Sequence, residues 1–204
     1  FIKNKMSKIL TPLFPLDGVI FFPGTSLPLN IFEERYIDMI NFSLASKRMI
    51  GIIQPKSKSQ LYTYGCVGKI VSFEETEDKR YLITLIGKNY FTILKESPTK
   101  EKFRLAEIQI KENFNTEKEL NFNRGLLLKN YENYINKKNI KIDINLLKQI
   151  ESKDLIKFIA MSCPFSPADK QMLLETFDFA KLQDKLISLL IFYSKNIQDK
   201  NTIN

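Results

Sequence analysis

The stretch "FFPGTSLPLNIFEERY" (Phe21–Tyr36) joins an extended segment to a helix, and its reading sets the order of everything around it. Pro23–Gly24 marks a tight turn, because Pro fixes its own φ and Gly tolerates a positive one. "SLPLNIF" then continues extended as far as Asn30. Asn30 followed three residues later by Glu33 has the spacing of a reciprocal cap, in which each side chain satisfies an orphan N–H of the first helical turn. Phe32, Tyr36, Met39, Ile40 and Leu44 are spaced to share one helical face. The expected helix spans roughly Ile31–Ser46. On this reading Glu33 does structural work, and the adjacent carboxylates Glu33 and Glu34 point in different directions and read as surface charge.

Outward from this stretch the first half reads as strands. Thr11–Leu16 is extended before and after its prolines. "MIGIIQP" (Met49–Pro55) is a short apolar run stopped by proline. "CVGKIVSFEE", "RYLITLIG", "NYFTILKE" and "FRLAEIQIKE" follow, rich in β-branched and aromatic residues, with "ETEDKR" (Glu75–Arg80) as a hairpin connection. The second half reads as helices. Leu120, Leu127, Tyr131, Tyr134 and Ile135 share a face over about Glu117–Lys138, and Leu155, Ile156, Ile159, Ala160 and Cys163 form another stripe. Ser166 is placed to cap a helix opened by Pro167, with Asp169 in its first turn. Asp178 opens a last helix along Phe179, Leu182, Leu186, Leu189, Leu190 and Tyr193. Strands with one helix, then helices alone, give an α+β class with two regions, 1–115 β-rich and 116–204 helical.

Composition narrows the chemistry. The 204 residues contain no histidine, which removes imidazole acid–base catalysis, Ser-His and Cys-His nucleophile pairs, and imidazole metal ligation. Cys66 and Cys163 lie far apart, show no metal-ligand spacing and read as reduced core thiols. "GCVGK" (Gly65–Lys69) is too short between its glycines for a phosphate loop and leads into a strand instead of a helix. Glu74–Glu75 reads as surface charge, and no local motif singles out a Ser-Lys dyad. No catalytic residue, metal site or cofactor is therefore expected. The net charge of +8 raises RNA binding as an alternative. Against it, the excess is spread over both halves, with 17 basic and 12 acidic residues in 1–115, and 26 of the 31 basic residues are Lys. Arg is the residue of bidentate phosphate and base contacts. No run approaches the ~18 apolar residues of a membrane span, and "VIFF" is too short for a signal-peptide core, so a cytoplasmic protein is expected. Residues 1–5 precede the first methionine, Met6, and read as upstream sequence or a fragment edge.

Leu13–Pro55, "LFPLDGVIFFPGTSLPLNIFEERYIDMINFSLASKRMIGIIQP", closely resembles the start of the Lon protease N-terminal, substrate-binding domain family. The strand run Tyr64–Glu96, including Gly87, and the helical end Ser166–Leu190 are similar to later parts of that domain. The resemblance implies a PUA-like β-barrel subdomain followed by a helical bundle, in a stand-alone member without the ATPase and protease modules of full-length Lon. It also implies a non-catalytic module for unfolded or exposed polypeptide, acting as an adaptor or recognition factor, with a separate protease as a further partner. Asn30 departs from the pattern, since many members of the family it resembles carry His there. Asn cannot titrate near neutral pH, so no acid–base role passes to it. The candidate peptide contacts are Phe21, Phe22, Pro28 and Phe32 around the turn, and Tyr62 and Tyr64 beside the polar loop "KSKSQ".

Overall fold

The computed structural model describes residues 8–111 and 122–195. The expected start of the first C-terminal helix, including Leu120, and the boundary expected at 115/116 lie outside the described residues, as does the segment 1–5. The chain divides into two compact units, Phe1–Asn113 and Phe114–Asn204.

The first unit holds a six-stranded mixed sheet. Its strands are β1 (Lys8–Pro15), β2 (Ser26–Ile31), β3 (Met49–Ile53), β4 (Tyr64–Glu75), β5 (Tyr81–Ser97) and β6 (Arg104–Ile110), with helix α1 (Glu34–Leu44) between β2 and β3. The spatial order is β2-β5-β4-β3-β1-β6, and β6 also pairs β5. Pairing therefore runs from β5 through β4, β3, β1 and β6 and returns to β5. Among the described residues, only the β1–β3 pairing is parallel. Seventeen residues long, β5 serves three neighbours. Its first half lies between β2 and β4, and its second half meets β6. Two separate strands were expected here, divided after Gly87. The chain runs on as one strand, with a one-residue bulge at Lys88, because consecutive Val67 and Gly68 of β4 register with Asn89 and Gly87. Inward-facing Leu13, Ile53, Val67, Phe91, Ala106 and Ile108 form a buried cluster.

Helix α1 begins later than its sequence spacing predicts. Asn30 belongs to β2, where it registers with Leu82. Glu33 is the N-cap residue and makes no side-chain cap bond. Its carboxylate instead accepts from Arg35 Nε and Nη2 at 3.0 and 2.7 Å. The expected Asn30–Glu33 cap is thus corrected. Pairing of β2 with β5 as far as Ile31↔Tyr81 holds this backbone extended, and the ladder overrides the local capping preference. Met39 and Ile40 are buried as the spacing requires, and Tyr36 lies against Phe14, with ring centroids 4.3 Å apart and Arg35 over its outer face.

The second unit holds α2 (Arg124–Lys137), α3 (Ile144–Leu147), α4 (Ser152–Ser162), α5 (Pro167–Leu174) and α6 (Phe179–Lys195). Its buried residues follow the predicted stripes: Leu127, Tyr131, Tyr134 and Ile135 from α2, Leu155, Ile156, Ile159 and Ala160 from α4, and Leu182, Leu186, Leu189 and Leu190 from α6. Ser166 caps α5 by accepting from the Asp169 N–H at 3.1 Å, with Pro167 at the first helical position. Asp178 accepts from the Lys181 N–H at 2.9 Å at the start of α6.

Candidate functional site

Three strands build one exposed face in the first unit. Pro28 of β2 registers with Thr84 of β5, and Thr84 with Ser72 of β4. One step along, Asn30 registers with Leu82, and Leu82 with Glu74. Successive side chains on a strand point to opposite faces, so these six share one side, whereas Ile83 and Leu85 of β5 turn into the core. With Leu29 and Ile83 they line a groove of ≈ 450 Å³. Pro28 and Leu82 supply exposed apolar surface, Leu82 at 39%. Ser72, Thr84 and Asn30 supply hydrogen-bonding groups. Glu74 is the single charged residue of the lining and makes no ion pair among the described residues.

The six expected contact residues do not converge. Pro28 lines the groove, and Phe32, 67% exposed, lies two residues past Asn30. Phe21 and Phe22 are each only 1% exposed, which corrects their assignment as surface contacts. The turn folds them inward. Thr25 N–H donates to the Phe22 carbonyl at 3.2 Å, Gly24 takes φ 83°, and Pro23–Gly24 occupy the two central positions, the pattern of a type II turn. The turn is held on β5 through Gly24 N–H to the Gly87 carbonyl at 3.0 Å and Gly87 N–H to the Thr25 carbonyl at 2.9 Å. Phe21 then packs over Gly68, and Phe22 meets Tyr90 edge-on with centroids 6.5 Å apart. Tyr62 and Tyr64 are half-buried at the opposite end of β4 from Glu74. Sequence reasoning missed Leu82 and Phe73. Phe73 is 41% exposed and meets Tyr81 edge-on at 4.8 Å. In "RYLITLIG" both alternating sets contain apolar residues, so the pattern carries no signal for which set faces out.

Buried and half-buried polar groups in the second unit join its helices. Tyr193 Oη donates to Asp169 at 2.7 Å and accepts from the Ser166 N–H at 2.9 Å, tying α6 to the start of α5. Lys170 is buried and donates to the Met161 carbonyl at 3.2 Å, and burial pulls its ammonium below the ordinary Lys value. Burial pushes the Cys163 thiol from 9.0 up to about 12. The unfolded chain ionises this thiol near 9 while the folded chain keeps it protonated. Its contribution to stability is therefore complete below pH 9 and is lost as pH rises toward 12. Urea midpoints measured from pH 8 to 11 are expected to fall more steeply for the natural protein than for Cys163→Ala, and parallel curves would contradict this. Among the described residues no three His, Cys, Asp or Glu side chains gather as a metal site, and no helix is long and apolar enough to cross a membrane.

Known proteins match over nearly this whole span. The Lon protease of Haemophilus influenzae is 28% identical over 190 residues, covering 88% of this chain and 23% of that protein. The Lon protease of Flavobacterium johnsoniae is 27% identical over 184 residues, covering 84% and 22%. The chain thus spans about a quarter of the length of these relatives. Among solved structures, the Lon N-terminal domain protein from Xanthomonas campestris superposes with a TM-score of 0.64 at 20% identity, covering 88% of this chain and 98% of that one. The N-terminal domain of Mycobacterium avium complex Lon protease gives 0.61 at 15%, covering 92% and 99%. These two likenesses show a shared fold. The sequence model of one family matches residues 11–191, and the chain belongs to that family, the ATP-dependent protease La (LON) substrate-binding domain.

Proposed function

We propose that this chain binds unfolded or exposed polypeptide segments and that the face across β2, β5 and β4 receives them. One observation carries the reading: in a member of a substrate-binding family, a groove of ≈ 450 Å³ exposes Pro28 and Leu82, with Phe32 bare beside its end. Concave surfaces with apolar floors and a few polar groups are the usual form of binding sites. The pairing circuit through β5, β4, β3, β1 and β6 is read as the wall of a PUA-like barrel, with 1–115 and 116–204 as the two subdomains; its return to β5 supports this. Recognition without catalysis, in the cytoplasm and as an adaptor to a separate protease, completes the proposal. RNA binding is the weaker alternative. The charge of +8 favours it, yet no Lys or Arg lines the groove and one carboxylate does.

Titration of a fluorescent unfolded polypeptide tests the proposal. Saturable binding is expected, with Phe32→Ala weakening it about fivefold, as a contact worth about 1 kcal/mol would. The exposed Phe32 side chain leaves the unfolding transition of that variant unchanged. Absence of saturation would remove the function, and undiminished binding by Phe32→Ala would move the site. Single-stranded RNA titrated at two salt concentrations supplies the comparison, since phosphate contacts weaken steeply with salt.

A further inference from the structure

Resting on the polypeptide-binding reading above, we infer that the groove selects extended segments carrying a Lys or Arg, with the cationic head on Glu74 and its aliphatic stem over Leu82. The groove is otherwise uncharged, and its one charge is negative on a protein of net charge +8. Several other carboxylates of this unit are paired locally, Glu33 with Arg35 at 2.7 Å, Glu34 with Lys102 at 2.7 Å, Asp78 with Arg80 at 2.7 Å and Glu96 with Arg104 at 3.3 Å; of the carboxylates without an ion pair among the described residues, Glu74 is the one that lines the groove. Glu74 has no such partner among the described residues, so its charge is available to an incoming cation.

The geometry of the face fits this occupant. Glu74 and Leu82 are neighbours across β4 and β5, and adjacent strands lie about 4.8 Å apart. A Lys or Arg stem laid on Leu82 spans that gap and keeps its head in water beside the carboxylate. The second row, Ser72–Thr84–Pro28, lies two residues along the strands, about 6.7 Å away. That is also the distance between residues i and i+2 of an extended chain, so a second side chain of the same segment reaches Pro28. The segment lies across the face and does not extend the sheet. Although β2 pairs only with β5 among the described residues, Pro28 in its middle has no N–H to offer a new strand.

The test uses fluorescence anisotropy with disordered peptides identical except for Lys, Gln or Glu at a central apolar-flanked position. At low salt the Lys peptide is expected to bind about threefold tighter than the Gln peptide and the Glu peptide weakest, the scale of one exposed ion pair. Salt compresses the order. Glu74→Gln abolishes the preference for Lys, and Glu74→Lys reverses it, both with an unchanged unfolding transition because Glu74 is exposed. Equal binding of the three peptides, or a Lys preference that survives in Glu74→Gln, overturns the assignment while polypeptide binding stands. Failure of every peptide to bind overturns both. Displacement of the Lys peptide by single-stranded RNA would overturn the assignment as well.

Discussion

Replacing Phe21 by Ala is expected to lower the unfolding free energy by about 3–5 kcal/mol, the cost of emptying a large buried aromatic site. The ring is 1% exposed and lies over Gly68, where even an added Cβ would come within 2.6 Å of it. Nothing on that side can collapse cheaply, because β4 is pinned between β3 and β5. Urea denaturation followed by tyrosine fluorescence or circular dichroism measures the loss. Polypeptide affinity, measured at a temperature where the variant remains folded, is expected to be unchanged. A loss under 1 kcal/mol together with weakened binding would return Phe21 to the surface role its neighbours in sequence imply. The contrast with Phe32→Ala is diagnostic: one substitution removes stability and the other removes affinity.

Gly87→Ala is the second large effect, at about 3 kcal/mol of lost stability. A Cβ here would press on the Phe22 carbonyl oxygen, lie 2.9 Å from its carbonyl carbon and 3.2 Å from Pro23 Cα. All three are backbone atoms, which cannot swing away as a side chain would. The turn has to lift, and with it go the Gly24–Gly87 and Gly87–Thr25 hydrogen bonds that fasten it to β5. Because the turn precedes β2 directly, hydrogen exchange in Ser26–Ile31 is expected to accelerate more than exchange in β3. A variant with full stability and unchanged exchange would show that the turn does not depend on this approach.

Local chemistry was the legible part of the sequence. Ser166, Pro167 and Asp169 announce the start of α5 within four residues, and the structure forms that cap. The stripes of α4 and α6 are equally local, and their burial follows the spacing. What depended on distant partners was not legible. The Asn30–Glu33 spacing describes a valid cap, but β5, some fifty residues later, claims Asn30 for a ladder. Phe21 and Phe22 flank a Pro-Gly turn and so resemble loop residues, yet the turn folds back against Gly87. Helix α3, four residues long, is too short for any periodicity and is held by Asp143 accepting from the Asn145 N–H. The candidate face was half visible: Pro28 and Phe32 stand in the opening stretch. Leu82 and Glu74 join it only through register, which no single strand encodes.

Register also sets a schedule for synthesis. Strand β1 ends at Pro15, but its antiparallel partner β6 begins at Arg104. At roughly 5–20 residues per second, a ribosome needs on the order of 5–20 s to add the ~90 residues between making one and making the other. Throughout that interval the "TPLF" portion of β1, buried in the finished protein, has no β6 to cover it. The β4–β5 hairpin pairs neighbours in sequence and can form as it emerges. A nascent chain of this protein therefore completes its β4–β5 hairpin before β1 gains β6, and until β3 is made β1 is an exposed apolar segment, the same kind of sequence the folded module is proposed to hold.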